Sequence, residues 1–278
     1  MRSLFRLIKA EHTLFSLPYL FAGAFLAKRG LTDVRETALI LLAGISARAA
    51  GMALNRIIDR HLDALNPRTR ERELPAGKLP LWSAWLLVAV SSAVFVLSAW
   101  LLNPLCFYLS PIPLLAFWFY PFTKRFTPLT HFALGAAWSI APAGAWLAVR
   151  GSFEGFYPAM VLSVSVLFWL AGFDIIYALL DADFDRTHGI KSLPAAIGSD
   201  WALLVSLASH VITYALWIYL GFLTALGPPY FAAMLFIGVL FTLEHRYARR
   251  KPEFAFFRAN AIIGFAFLMG IFGSLVSR

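Results

Sequence analysis

Long apolar stretches, broken at short intervals by polar clusters, run the length of the chain. Runs such as Leu81–Leu102 and Phe156–Phe173 approach the roughly 20 residues that a helix needs to cross a hydrocarbon core. The alternation predicts nine spans, near 12–28, 37–58, 81–102, 104–121, 128–149, 156–180, 201–222, 227–245 and 257–276. Any single run fits a buried helix of a large soluble protein. Nine of them in 278 residues leave no soluble body in which to bury them. The expected fold is therefore all-α and transmembrane, one polytopic membrane domain over residues 1–278 made of two similar halves, roughly 1–125 and 126–278. The first span is similar to a secretory leader, since Arg2, Arg6 and Lys9 precede it. Eight further spans favour an uncleaved first helix.

Composition sharpens this. Hydrophobic residues make up 60% of the chain and charged ones 14%, against about 25% charged in a soluble domain; the mean hydropathy is +0.72. The net charge of +9 would suit nucleic acid, but its placement follows membrane topology instead, and no nucleic-acid partner is expected. Most Lys and Arg fall in the N-terminal segment and at the cytoplasmic ends of alternate spans. Only Lys28, Arg29, Arg35, Arg150 and Arg278 lie on the other face, with Arg48 inside the second span. The positive-inside rule then places the N-terminus and the 59–80 and 181–200 loops in the cytoplasm. For a multi-pass protein with that bias the expected location is the cell (inner) membrane. The single Cys106 can form no disulfide within the chain and reads as packing.

Acidic residues gather on the cytoplasmic face too, and insertion does not require that. Asn55, Asp59 and Asp63 recur every fourth residue at the end of the second span, so they form one polar stripe along a helix. Carboxylates and an amide on one stripe are hard oxygen ligands suited to Mg²⁺; the alternative is a solvated helix end ion-paired to Arg56 and Arg60. Asp174, Tyr177, Asp181 and Asp185 form a second stripe where the sixth span leaves the membrane, with Asp183 directed elsewhere. Asp174 is the deepest, and a carboxylate at that depth is expensive unless it serves a function. Two carboxylate stripes repel each other unless cations join them, so they are expected to face one another across bound metal. Mg²⁺ commonly bridges carboxylates to substrate phosphates, which would give Arg68, Arg72, Lys124 and Arg125 an anionic partner. Arg48 is different. A guanidinium inside the membrane needs an anion, either a substrate carboxylate or an intramembrane Asp such as Asp174.

These motifs resemble the UbiA superfamily of intramembrane prenyltransferases. The resemblance rests on Asn55-xxx-Asp59-xxx-Asp63 and Asp174-xx-Tyr177-xxx-Asp181-xxx-Asp185. Secondary blocks support it: Arg48-Ala-Ala-Gly, Asn66-Pro-Arg-Thr, Tyr120-Pro-Phe-Thr-Lys124-Arg125 and His188-Gly-Ile-Lys-Ser-Leu-Pro. It implies nine helices around a central cavity. Asn55, Asp59, Asp63, Asp181 and Asp185 would hold Mg²⁺ and, through it, an isoprenyl diphosphate. Lys124 and Arg125 would bind diphosphate oxygens, with help from Arg68 and Arg72, and Arg48 would hold the carboxylate of an aromatic acid. Tyr177 is then placed to stabilise an allylic cation, and Asp174 to orient the acceptor or take its proton.

The implied activity is Mg²⁺-dependent transfer of a polyprenyl group to a 4-hydroxybenzoate-like acid in quinone biosynthesis. The segment Ala171-Gly-Phe-Asp174-Ile-Ile-Tyr177 is also similar to a branch that prenylates 1,4-dihydroxy-6-naphthoate in menaquinone synthesis. A secondary transporter is the reading from another class, against which stands the crowding of acids at one membrane face. Phe256-Phe257 and Asn260 match a further signature of the family, but the sequence suggests no physical role for Asn260. His131, His210 and His245 lack ligand spacing.

Overall fold

A computed structural model describes residue 7, residues 13–250 and residues 255–277. All regular structure among them is helical. The spans are α1 (Thr13–Lys28), α2 (Val34–Leu65), α3 (Leu81–Leu102), the broken pair α4 (Pro104–Leu109) and α5 (Pro111–Thr123), and α6 (Thr130–Arg150). They continue with α7 (Tyr157–Ala178), two short helices α8 (Ala182–Thr187) and α9 (Leu193–Ile197), then α10 (Ser199–Leu223), α11 (Pro228–Tyr247) and α12 (Asn260–Val276). Among the described residues eight helical stretches are long and apolar enough to cross a membrane, and α1 adds a shorter apolar stretch, Leu17–Lys28. A helix therefore stands at each of the nine predicted places; the start of the first, with Arg2, Arg6, Lys9 and His12, lies outside the described residues. The chain is a multi-pass membrane protein.

Local chemistry sets the boundaries. Asp33 caps α2 through a capping box with Glu36, which satisfies amides that helix geometry leaves unpaired. Pro104, Pro111 and Pro228 open their helices, where a missing N–H costs nothing. Gly151 ends α6 in the left-handed region at φ 64°, the usual reason for glycine at that position.

The helices close into a ring. α2 pairs with α3 and α5, α6 with α1, α5 and α7, α7 with α10, and α12 with α11 and α1. Close approach between membrane helices favours small residues. A Cβ on Gly135 of α6 would sit 2.4 Å from the Leu167 carbonyl oxygen of α7, and one on Gly23 of α1 would sit 2.3 Å from that of Pro142. Aromatic and aliphatic side chains fill the second half of the bundle, with Trp169, Trp217, Tyr230 and Phe267 among its largest fully buried residues.

α2 has 32 residues, about 48 Å of helix against a hydrocarbon core of about 30 Å. Its C-terminal turns therefore project past the apolar layer. That overhang carries Asp59 and Asp63, while Arg48 stays near mid-helix. In the second half, α7 does not run straight through its acidic segment. It stops at Ala178, passes through a one-turn 3-10 segment at Leu179–Asp181, and restarts as α8. The stripe predicted from unbroken helical spacing is thus assembled from two helices and the turn between them.

Candidate active site

The C-terminal ends of α2, α5 and α7 and the N-terminal end of α6 meet at one end of the bundle and enclose a cavity of about 310 Å³. Its mouth is a lattice of opposite charges. Asp59 Oδ2 accepts from Lys124 Nζ at 2.5 Å and from Asn55 Nδ2 at 3.1 Å. Asp63 accepts from Arg72 Nη1 at 2.7 Å, and Arg56 lies 3.9 Å away on its other side. On the facing wall Asp181 receives both arms of Arg68, with Nε to Oδ1 at 2.8 Å, and also the Asn66 amide at 2.9 Å. Arg68 gives its remaining arm to the Tyr177 hydroxyl at 2.7 Å and lies 4.9 Å from the centre of that ring. Partial burial opposes its charge, but the bonds to Asp181 and Tyr177 outweigh burial and hold its pKa above the ordinary arginine value. Arg68 and Asn66, from the loop after α2, thus tie the first half of the chain to Asp181 and Tyr177 of the second.

Two of the mouth carboxylates have capacity to spare. Asp59 Oδ1 and Asp63 Oδ2 are buried without a hydrogen-bond donor among the described residues. Buried acceptors are normally satisfied, so these oxygens point to a ligand. Asp185, also buried, completes the acidic lining. Among the described residues no three acidic or histidine side chains converge tightly enough to enclose a metal by themselves.

Below the mouth the walls turn apolar and aromatic, with Leu134, Trp138, Trp169, Leu170 and Phe173. Arg48 stands at this deep end. It is 4% exposed, eleven residues before Asp59 on the same helix and therefore roughly 16 Å deeper along its axis. Its guanidinium lies 5.7 Å from the Trp138 ring centre. Asp174 borders the cavity, and its Oδ2 is 2.7 Å from His131 Nδ1. The Leu193 amide donates to His131 Nε2 at 3.3 Å, which leaves the ring's N–H on Nδ1, aimed at the carboxylate.

Of the twelve residues singled out from the sequence, eleven line this one cavity: Arg48, Asn55, Asp59, Asp63, Arg68, Arg72, Lys124, Asp174, Tyr177, Asp181 and Asp185. Arg125 is placed apart from these eleven. Its guanidinium bonds the Ile58 carbonyl at 3.1 Å and lies over Phe122, outside the lining. Consecutive residues at a helix end diverge by about 100°, so only one of the Lys124–Arg125 pair can face inward. Replacing Lys124 by Ala is expected to lower turnover of the native reaction at least about thirtyfold, because a charge-assisted bond is worth about 2 kcal/mol or more. Arg125→Ala is expected to stay within about threefold of wild type in the same steady-state assay. Asp183 is fully solvated beside Arg186, as its spacing indicated. No spacing signal marks His131, a lone histidine; its position at the start of α6, one short loop after Lys124, is the one hint the sequence holds. Asn66 stood in a noted motif, but its bridge to Asp181 depends on a fold-back of the 66–80 loop that no periodicity reveals.

Over residues 16–272 the chain matches the UbiA prenyltransferase family. The 4-hydroxybenzoate octaprenyltransferase of Vibrio cholerae is 34% identical over 280 residues, 97% of this chain and 96% of that protein. The protein of the same name from Yersinia pseudotuberculosis is 32% identical over 275 residues, 96% of this chain and 93% of its own length. A UbiA homolog from Aeropyrum pernix, solved in its apo form, superposes with a TM-score of 0.87 at 36% identity, over 94% of this chain and 97% of that one. A UbiA homolog from Archaeoglobus fulgidus bound to DMAPP and Mg²⁺ shares the fold, with a TM-score of 0.69 at 20% identity over 99% of this chain and all of the other.

Proposed function

The chain belongs to the UbiA prenyltransferase family, and from that premise we propose that it transfers a polyprenyl group from an isoprenyl diphosphate to the ring of a 4-hydroxybenzoate-like aromatic acid, with Mg²⁺, in quinone biosynthesis. One observation carries the reading. A single cavity has a mouth of carboxylates and cations fit for a metal diphosphate, and a buried guanidinium in an aromatic floor fit for an acid. The cavity mouth faces the cytoplasm of the inner membrane, in keeping with the Lys and Arg bias of the loops.

The donor set suits Mg²⁺. Asp59 and Asp63 each present a spare buried oxygen, Asp181 and Asp185 lie on the facing wall, and Asn55 adds an amide oxygen. Among the described residues too few groups converge to form an all-protein cage, which fits an ion that keeps few protein ligands and shares the rest with phosphate. When bound, Mg²⁺ supplies charge neutralisation of the leaving diphosphate.

The chain's own groups do the rest. Lys124, Arg68 and Arg72 bind diphosphate oxygens, exchanging the carboxylates they hold now for the incoming anion. The C–O bond to the diphosphate breaks and its electron pair leaves with the oxygen. The allylic cation left behind is flanked by Tyr177, whose ring face stabilises positive charge, and the apolar walls keep water from capturing it. Arg48 holds the acceptor carboxylate in the floor, so that the ring presents a carbon to the cation and the new C–C bond forms. Asp174 takes the displaced ring proton, oriented by the N–H of His131.

The acceptor is tested by offering the purified protein an octaprenyl diphosphate with equal amounts of 4-hydroxybenzoate and 1,4-dihydroxy-6-naphthoate, with Mg²⁺ or EDTA, and weighing the products. The prenylated 4-hydroxybenzoate is expected to dominate and to vanish with EDTA. Preference for the naphthoate would move the enzyme to the menaquinone branch, which the Ala171–Tyr177 motif resembles. Consumption of the diphosphate without either product would overturn the acid-acceptor reading.

A further inference from the structure

Behind the aromatic wall of the cavity lies a buried polar chain that the reaction as described does not use. Trp169 of α7 borders the cavity, and its ring is held between Tyr19, at a centroid distance of 4.3 Å, and Phe173, at 4.7 Å. Its indole Nε1 donates to Asn260 Oδ1 at 2.7 Å. Asn260 Nδ2 in turn donates to Glu244 Oε1 at 2.8 Å. Neither Asn260 nor Glu244 has any exposed surface, and Trp169 is 2% exposed. A second branch reaches the same residue through its backbone: His210 Nε2 meets the Trp169 carbonyl at 3.1 Å, and His245 Nε2 lies 2.9 Å from His210 Nδ1.

The order of this chain is set by chemistry. An indole N–H can only donate, so it fixes which end of the Asn260 amide faces Trp169. The amide must then present its NH₂ to an acceptor, and the Glu244 carboxylate provides one. Such a chain joins α7, α12 and α11 and leaves the indole one hydrogen-bonded orientation. A carboxylate and an amide buried at membrane depth are costly relative to apolar packing. If this site served packing alone, leucines would fill it at lower cost. What the polar chain adds is direction, and the side chain that receives it is the one at the cavity wall.

We propose that Glu244 and Asn260 are positioning residues of the active site, acting through the Trp169 indole to hold the aromatic wall of the cavity. This rests on the prenyl-transfer reading, and it gives Asn260 the role that the sequence left open. The energetic coupling must then run through the indole N–H.

The test is a double-mutant cycle in the prenyl-transfer assay. Asn260→Ala and Trp169→Phe, which keeps a ring but lacks the N–H, are each expected to lower kcat about tenfold while the KM for the aromatic acid stays within twofold. In the Trp169→Phe background Asn260→Ala is expected to cost less than a further twofold. Glu244→Gln, which still offers Asn260 an amide oxygen, is expected to retain kcat within threefold. If Asn260→Ala does not fold, Glu244→Leu completes the same cycle. Effects of Asn260→Ala and Trp169→Phe that multiply, or an Asn260→Ala enzyme with wild-type kcat, would overturn the proposal while leaving the prenyl-transfer reading intact. A wild-type protein that forms no prenylated product would overturn both.

Discussion

Replacing Asp181 by Ala abolishes prenyl transfer, with an expected fall in kcat/KM of at least about a thousandfold, or roughly 4 kcal/mol of transition-state stabilisation. Three functions meet on this one carboxylate. It receives both arms of Arg68, it accepts from Asn66, and it faces Asp59 and Asp63 across the mouth as a proposed metal oxygen. Removing it leaves the Arg68 guanidinium without its bidentate partner and takes one hard ligand from the diphosphate site. The fold itself loses less, because the Arg68 and Asp181 side chains are 29% and 17% exposed and an ion pair so placed is screened by solvent. Asp181→Asn separates the two losses. It keeps an oxygen for Arg68 and Asn66, so it is expected to melt like wild type, yet its turnover is expected to fall nearly as far. An Asp181→Asn enzyme within tenfold of wild type would remove this residue from the diphosphate site.

The second large effect concerns Asp174. A carboxylamide in its place matches its shape and cannot take a proton, so Asp174→Asn is expected to lower kcat about a hundredfold, within the usual range for loss of a general base. The KM for the prenyl diphosphate should hold within about threefold, since the ion-paired mouth is built from other residues. His131→Ala is expected to cost less, about tenfold. The carboxylate remains, but the N–H that aims it from 2.7 Å is gone. The order of the two variants is the informative part. A base oriented by a neighbour loses more when the base itself is removed, and steady-state kinetics with saturating acid would expose the reverse order at once.

Much of this was legible in the sequence because carboxylates are rare in apolar helices and stand out by spacing alone. Asp59 and Asp63 lie one turn apart, and the helix end that carries them was visible as the point where apolar residues give way to charge. Asp183 could be set aside for the same reason, and it is solvated. Periodicity is silent, however, about where a helix breaks. After the 3-10 turn at Leu179–Asp181, Asp181 meets Asn66 and Arg68 because the loop that carries them folds back toward it, which no spacing announces. Adjacent residues were a second blind spot. Lys124 and Arg125 read as one basic pair, whereas helix geometry sends the second toward Ile58 and Phe122. The third was abundance. With 26 Phe and 9 Trp, no sequence pattern marks Trp169 as the ring at the cavity wall, and His131 or Glu244 acquires meaning only from a contact across the bundle.

The central claim is that one cavity holds the diphosphate at its mouth and the acid's carboxylate at Arg48 in its floor. The measurement that reaches it most directly is the ratio of kcat/KM for 4-hydroxybenzoate to that for its methyl ester, taken in the wild-type enzyme and in Arg48→Ala. A buried charge-assisted pair is worth about 3 kcal/mol, so the wild-type ratio is expected to exceed roughly a hundredfold. In Arg48→Ala it is expected to collapse to within about threefold of unity, with the KM for the prenyl diphosphate nearly unchanged. A ratio that survives the loss of Arg48 would place the acid's carboxylate elsewhere and contradict the account.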